Sequence, residues 1–296
     1  MRRGAKGQGM TEGPLPVPFA DLPAFPIWPA RNKAEADRLG AMLWTLYPQI
    51  SGYEAQLNPA SKVLGYSAPA GSLVEFAMAW NSEGGANWRE TVVCPVTGLS
   101  NRARAAFHLF AVESRLGGDA NIYITEQTTA FYRYLKSIFP SLVGSEFIPG
   151  ALPGMTTDAG IRHEDLTALS FREASLDAIL SFDVLEHVPD YQAGLRECAR
   201  VLRPGGRIYI TVPFVGTAET IVRARVLPDG EIEHLLPAEY HGDPMVKDGI
   251  LCFYHFGYDV LDVMRRVGFS DAWAGYYWSA EFGYLGVMQV MIVGVR

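Results

Sequence analysis

The chain has 296 residues, 49% hydrophobic and 19% charged, the make-up of a folded protein, which excludes disorder over its whole length. Twenty-five Lys and Arg against 32 Asp and Glu give a net charge of −7, so a nucleic-acid partner is not expected. The only cysteines, Cys94, Cys198 and Cys252, cannot form a disulfide framework and read as cytoplasmic; no apolar run of roughly 18 residues exists, so no membrane partner is expected.

Residues 1–7 carry positive charge with no apolar run behind them and read as a disordered leader, not a signal peptide. Six prolines between residues 11 and 30 predict an extended, irregular piece. From Arg31 to about Pro48, Ala34, Leu39, Met42, Leu43 and Leu46 recur at helical spacing. Residues 49–90 show no readable period. A helix is predicted over Arg102–Leu116, ended by Gly117 and Gly118, and a strand over Asn121–Glu126. Thr128 is the expected N-cap of a helix running to about Phe139, where Pro140 stops it. Further strands are expected at Leu142–Glu146, weakly near Ile161–His163, at Leu176–Phe182 and at Arg207–Val212. Helices are expected at Tyr191–Leu202 and Tyr258–Val267, then an antiparallel pair, Trp273–Trp278 and Leu285–Val295.

Strands alternating with helices predict βαβ crossovers and therefore an α/β fold with a mostly parallel, doubly wound sheet. Ligands of such sheets lie past the carboxyl ends of the strands. Glu126 to Thr128, Glu146, Glu164, Asp165, Asp183 to His187 and the residues from Pro213 onwards follow predicted strands and become the site candidates.

Three blocks carry a resemblance. They are His163-Glu-Asp-Leu-Thr-Ala-Leu-Ser-Phe171, Leu176-Asp-Ala-Ile-Leu-Ser-Phe-Asp-Val-Leu-Glu-His-Val188 and Ala199-Arg-Val-Leu-Arg-Pro-Gly-Gly206. In order and spacing they resemble the class I methyltransferases that use S-adenosyl-L-methionine. The resemblance, over roughly residues 91–296, implies a Rossmann-like seven-stranded sheet with an antiparallel last strand. Residues 1–90 then become an N-terminal extension and cap, and a substrate-lid insertion falls at about 214–257. One feature departs from the family. Its Gly-rich loop after the first strand reads Ile124-Thr-Glu-Gln-Thr-Thr129 here, without glycine. Either the pocket is degenerate, or side chains replace the loop's contacts, which is the favoured reading. Glu126 would then meet an ammonium, and Gln127 and Thr128 a carboxylate at the helix N-terminus. The resemblance also implies that Glu146 accepts from ribose hydroxyls and Asp165 from the adenine amine, with Leu166 on the ring. Glu164 would take the adenine role in a register shifted by one. Tyr123 completes the cofactor set, and Asp183 borders the methyl-transfer space.

Proton removal from an acceptor calls for a base near neutrality, and His187, His241 and His255 are the candidates. Asp183, Glu186 and His187 also resemble the acidic-acidic-His arrangement with which some ubiquinone-pathway O-methyltransferases hold a divalent cation. Here the first acid is Asp where that pattern has Glu, and no metal is expected. Glu239, Tyr240, His241, Asp243, Tyr254 and His255 gather in the insertion, as a polyhydroxylated or phenolic substrate would require, or as an ordered connector. Cys94-Pro-Val-Thr-Gly98 offers half of a zinc knuckle and reads as a metal-free turn. Arg102 and Arg104 read as a solvated helix face, with contact to an anionic substrate as the alternative. The aromatic run Trp273, Tyr276, Tyr277, Trp278, Phe282 and Tyr284 reads as core or homodimer packing. The expectation is a methyltransferase acting on a small molecule, with O-methylation of a sugar or natural-product intermediate favoured. The alternative is a non-catalytic binding or partner subunit that has lost the cofactor.

Overall fold

A computed structural model describes residues 18–82, 84–242 and 247–296; the leader and Asp243 lie outside the described residues. In chain order the elements are β1 (Ile27–Ala30), α1 (Lys33–Ala55), β2 (Val63–Ser67), β3 (Ser72–Phe76), α2 (Asn101–Ser114), β4 (Ile122–Ile124), α3 (Ala130–Ile138) and β5 (Val143–Gly144). Then come β6 (Leu176–Phe182), α4 (Tyr191–Val201) and β7 (Leu202–Thr211). Six short strands follow, β8 (Ile221–Val222), β9 (Ala224–Val226), β10 (Ile232–His234), β11 (Tyr240–His241), β12 (Ile250–Leu251) and β13 (Tyr254–His255). The chain closes with α5 (Asp259–Val267), β14 (Asp271–Ser279) and β15 (Tyr284–Val295).

The central sheet has seven strands in the order β1-β14-β15-β7-β6-β4-β5. β5, β4, β6 and β7 pair in parallel. β15 lies antiparallel between β7 and β14, as the two apolar tail segments predict. The sequence of β6 explains its central place. Every residue but Asp177 is buried, the near-continuous apolar run of a strand covered on both faces. Its alternation divides the core. Ile179 faces Leu195, Cys198, Leu261 and Met264 of α4 and α5, whereas Ala178 and Leu180 share the opposite layer with Phe107, Phe110, Phe131 and Leu135 of α2 and α3.

Several local expectations change. Ile27–Ala30, expected to be irregular, forms β1 and pairs with Ala274–Tyr277 of β14. Its proline, Pro29, has no N–H to donate, which an outermost strand with one neighbour tolerates. α1 continues through Pro48 to Ala55 instead of stopping there. Thr129, not Thr128, caps α3, accepting from the Tyr132 amide at 3.0 Å. Ile161–His163 contributes only isolated bridges, one of them parallel between Glu146 and His163. Arg104 is not on a solvated face. It is fully buried, donates to the carbonyls of Val92, Phe282 and Gly283, and sits 3.9 Å over the Phe76 ring. Burial pulls its guanidinium down to about 10. Among the described residues no helix is long and apolar enough to cross a membrane.

Candidate active site

A cavity of about 1110 Å³ opens at the carboxyl ends of β4, β5, β6 and β7. Thr125, Ser145, Glu146, Asp183, Val212 and Pro213, each just past one of those strands, line it. Small-molecule sites usually span about 300–1,000 Å³, so the space admits a cofactor together with an acceptor.

The turn after β6 sets one wall. Asp183 adopts φ +54, a left-handed conformation uncommon for a residue with a side chain. Its carboxylate accepts from Arg89 at 2.5 and 2.6 Å and from Thr211 at 3.0 Å, with Arg102 at 3.3 Å. Burial alone would raise its pKa, but Arg102 and Arg89 outweigh that and hold it below the usual carboxylate range.

Glu146, just beyond β5, holds the glycine-free loop. Its Oε1 accepts from the Gln127 and Thr128 amides at 2.7 and 2.9 Å and from the Thr128 hydroxyl at 3.0 Å. All three bonds fall on Oε1, so among the described residues Oε2 keeps its lone pairs for a guest. The Gln127 side chain bridges the Gly160 carbonyl and the Arg162 amide, turned to the neighbouring loop. Gly144 lets the loop come this close. A Cβ there would stand 2.5 Å from the Tyr132 ring and 2.6 Å from the Glu126 carbonyl. Glu126 itself does not line the cavity. Its Oε1 is enclosed without a hydrogen-bond partner among the described residues, and burial pushes its carboxyl up to about 7.

Asp165 and Leu166 line the cavity. Asp165 binds the Thr167 amide and hydroxyl through Oδ1, leaving Oδ2 open among the described residues. Glu164 also lines it, but both its oxygens are taken, by Arg162 and Ser170. Tyr123 contributes a hydroxyl bonded to Ser145 at 2.8 Å.

Opposite lies a second polar group. Glu186 is fully buried, and neither of its carboxylate oxygens has a hydrogen-bond partner among the described residues. His187 Nδ1 is 2.8 Å from the Leu251 carbonyl, so that nitrogen carries the proton. His241, on β11, brings Nδ1 to 3.4 Å from Glu186 Oε1 and Nε2 to 3.0 Å from Glu239. Glu186 and Glu239 together raise the His241 imidazole to about 9, against the opposing effect of burial. His255 does not line the cavity; it reaches the group through Glu239, 3.2 Å away.

The structure thus brings Tyr123, Glu146, Glu164, Asp165, Leu166, Asp183, His187 and His241 around one cavity and keeps Glu126, Gln127, Thr128 and His255 out of its lining. It adds Arg89, Glu90 and Arg102, which sequence reasoning missed or placed in solvent. Arg89 lies in a segment without periodicity, and its link to Asp183 spans 94 positions. A cation held by Asp183, Glu186 and His187 does not fit, because both Asp183 oxygens belong to arginines. The ligand atoms that do cluster, all within 4.8 Å of one another, come from Glu186, His187 and His241.

The sequence profile of a family described as "Methyltransferase domain" matches residues 128–210, from the loop after β4 to β7. Over these residues the chain is similar to a methyltransferase domain. A probable S-adenosylmethionine-dependent methyltransferase of Mycolicibacterium smegmatis is 43% identical over 53 residues, 18% of this chain and 21% of that protein. A ubiquinone biosynthesis O-methyltransferase of Xylella fastidiosa is 34% identical over 116 residues, 34% of this chain and 45% of that protein. The chain therefore spans less than half the length of these relatives. A solved S-adenosylmethionine-dependent methyltransferase from Mesorhizobium loti aligns over 61% of this chain and 92% of its own, at 16% identity and a TM-score of 0.36. The matched segment of the methyltransferase domain contributes Glu146, Asp165, Asp183 and His187, whereas His241 and Arg89 lie outside it.

Proposed function

We propose that the chain is an S-adenosyl-L-methionine-dependent methyltransferase that methylates a hydroxyl of a small polyhydroxylated or phenolic acceptor, of the sugar or natural-product kind. The observation that carries this reading is one cavity lined both by the open oxygens of Glu146 and Asp165 and by Glu186, His187 and His241. Bound S-adenosylmethionine supplies an electrophilic methyl group on a sulfonium. Glu146 Oε2 accepts from the ribose hydroxyls, and Asp165 Oδ2 from the adenine amine beside Leu166. Asp183, pinned by two arginines, fixes the turn that carries Glu186 and His187. Those two residues and His241 gather around the acceptor hydroxyl and favour the loss of its proton. The O-methyltransferase relative supports oxygen as the acceptor atom.

A second reading, a non-catalytic partner subunit, draws on the Gln127 and Thr128 amides, which are already taken by Glu146. Titration calorimetry with S-adenosylhomocysteine separates the two. Saturable binding is expected, with Glu146→Ala weakening it about 10-fold or more through the loss of charged hydrogen bonds. No heat at high micromolar ligand would leave the subunit reading in place, and a Glu146→Ala chain that binds like wild type would overturn the ribose assignment.

A further inference from the structure

Resting on that reading, we propose that Glu186, His187 and His241 bind one borderline divalent ion, Zn²⁺ foremost, with an open position turned to the cavity. This replaces both the expectation of no metal and the Asp183-based arrangement. Glu186 is fully buried and its two oxygens have no hydrogen-bond partner among the described residues, so the groups that face it, His187 and His241, must compensate its charge, either as a cation or through a shared ion. His187 Nε2 and His241 Nδ1 stand 3.8 and 3.4 Å from Glu186 Oε1. Those separations are long for hydrogen bonds. They suit donors around a tetrahedral ion, where bonds of about 2.0–2.1 Å place ligands roughly 3.4 Å apart.

The far nitrogens give a second, independent sign. His187 Nδ1 donates to the Leu251 carbonyl, and His241 Nε2 donates to Glu239, which Arg223 and His255 also hold at 3.0 and 3.2 Å. Metal-bound imidazoles are held in this way, one nitrogen on the ion and the other donating to a carbonyl or carboxylate. Two imidazoles with one carboxylate select zinc-like ions over Mg²⁺, which demands more oxygens. The ligands come from different places, Glu186 and His187 from the turn after β6 and His241 from β11 in the insertion. The ion therefore also ties the insertion to the sheet. Because the three ligands line the cavity, a hydroxyl or phenol oxygen of the acceptor is the class of ligand for the open position.

The full chain, stripped with a chelator, should take up one equivalent of ZnCl₂ in titration calorimetry. His241→Ala and Glu186→Gln should each weaken uptake about 100-fold or more, and Glu239→Gln about 10- to 100-fold. His234→Ala, at an exposed position of β10, should leave it unchanged. Circular dichroism and S-adenosylhomocysteine binding on the same samples report whether each variant is folded. Substoichiometric uptake by the wild type, or wild-type uptake by folded His241→Ala, overturns the ion site. Normal zinc uptake without S-adenosylhomocysteine binding supports the site and overturns the methyltransferase reading instead.

Discussion

Glu126 lies behind the cavity wall, and burial opposes its ionisation. Its folded pKa, about 7, lies above the ordinary value near 4.5, so the folded state favours the neutral acid. Stability is then fully present below about pH 4.5 and declines until about pH 7, because the unfolded chain ionises first. Glu126→Gln removes this penalty. In urea unfolding its stability relative to wild type should rise by up to about 3 kcal/mol between pH 4.5 and 7 and level off above. A difference that is the same at pH 5 and pH 8 would contradict the assignment. Glu146, Asp183 and His187 were legible in the sequence because a parallel sheet sends the residues after its strands to one edge; Asp165 was legible through the motif around it, since Ile161–His163 forms only isolated bridges. Arg89 and Arg104 were not, since nothing local marks an arginine whose partners lie far along the chain. His241 was legible as a candidate, but its approach to Glu186 depends on how the insertion folds back.

At the scale of elements, β6 could be read in full because its apolar run has one interpretation between polar flanks. β5 is reduced to Val143–Gly144, since Gly144 serves the approach of the Glu126 loop more than it serves pairing. Ile161–His163 is drawn off in the same way into bridges and bonds with the Gln127 loop. Gly144→Ala should therefore act on the site through the loop. The added methyl would press on Tyr132 and the Glu126 carbonyl, costing about 1–3 kcal/mol and weakening S-adenosylhomocysteine binding together with thermal stability. Unchanged values for both would show that the loop yields freely. The N-terminal segment was the least legible. Prolines and mixed short residues hide β1 and the far half of α1, which tertiary contacts with the sheet stabilise over local propensity.

For the molecule as a whole, the net charge of −7 acquires a location. Glu146, Asp165, Asp183 and Glu186 converge on one cavity, where Arg89 and Arg102 neutralise Asp183 and leave the others to attract positive guests. The first strand has another consequence. β1 lies outside β14 and takes up a row of backbone groups that would otherwise face water. An uncovered strand of nine residues is a template for pairing with another chain. Shortening the protein to begin after Arg31 should leave the cavity walls in place yet add self-association, beyond that of the intact chain, that rises with concentration. Light scattering would register this as a mass that rises with concentration more steeply than the intact chain's, and the same mass for both would count against it. A stretch of four residues at the start of the fold would then act as the molecule's guard against aggregation.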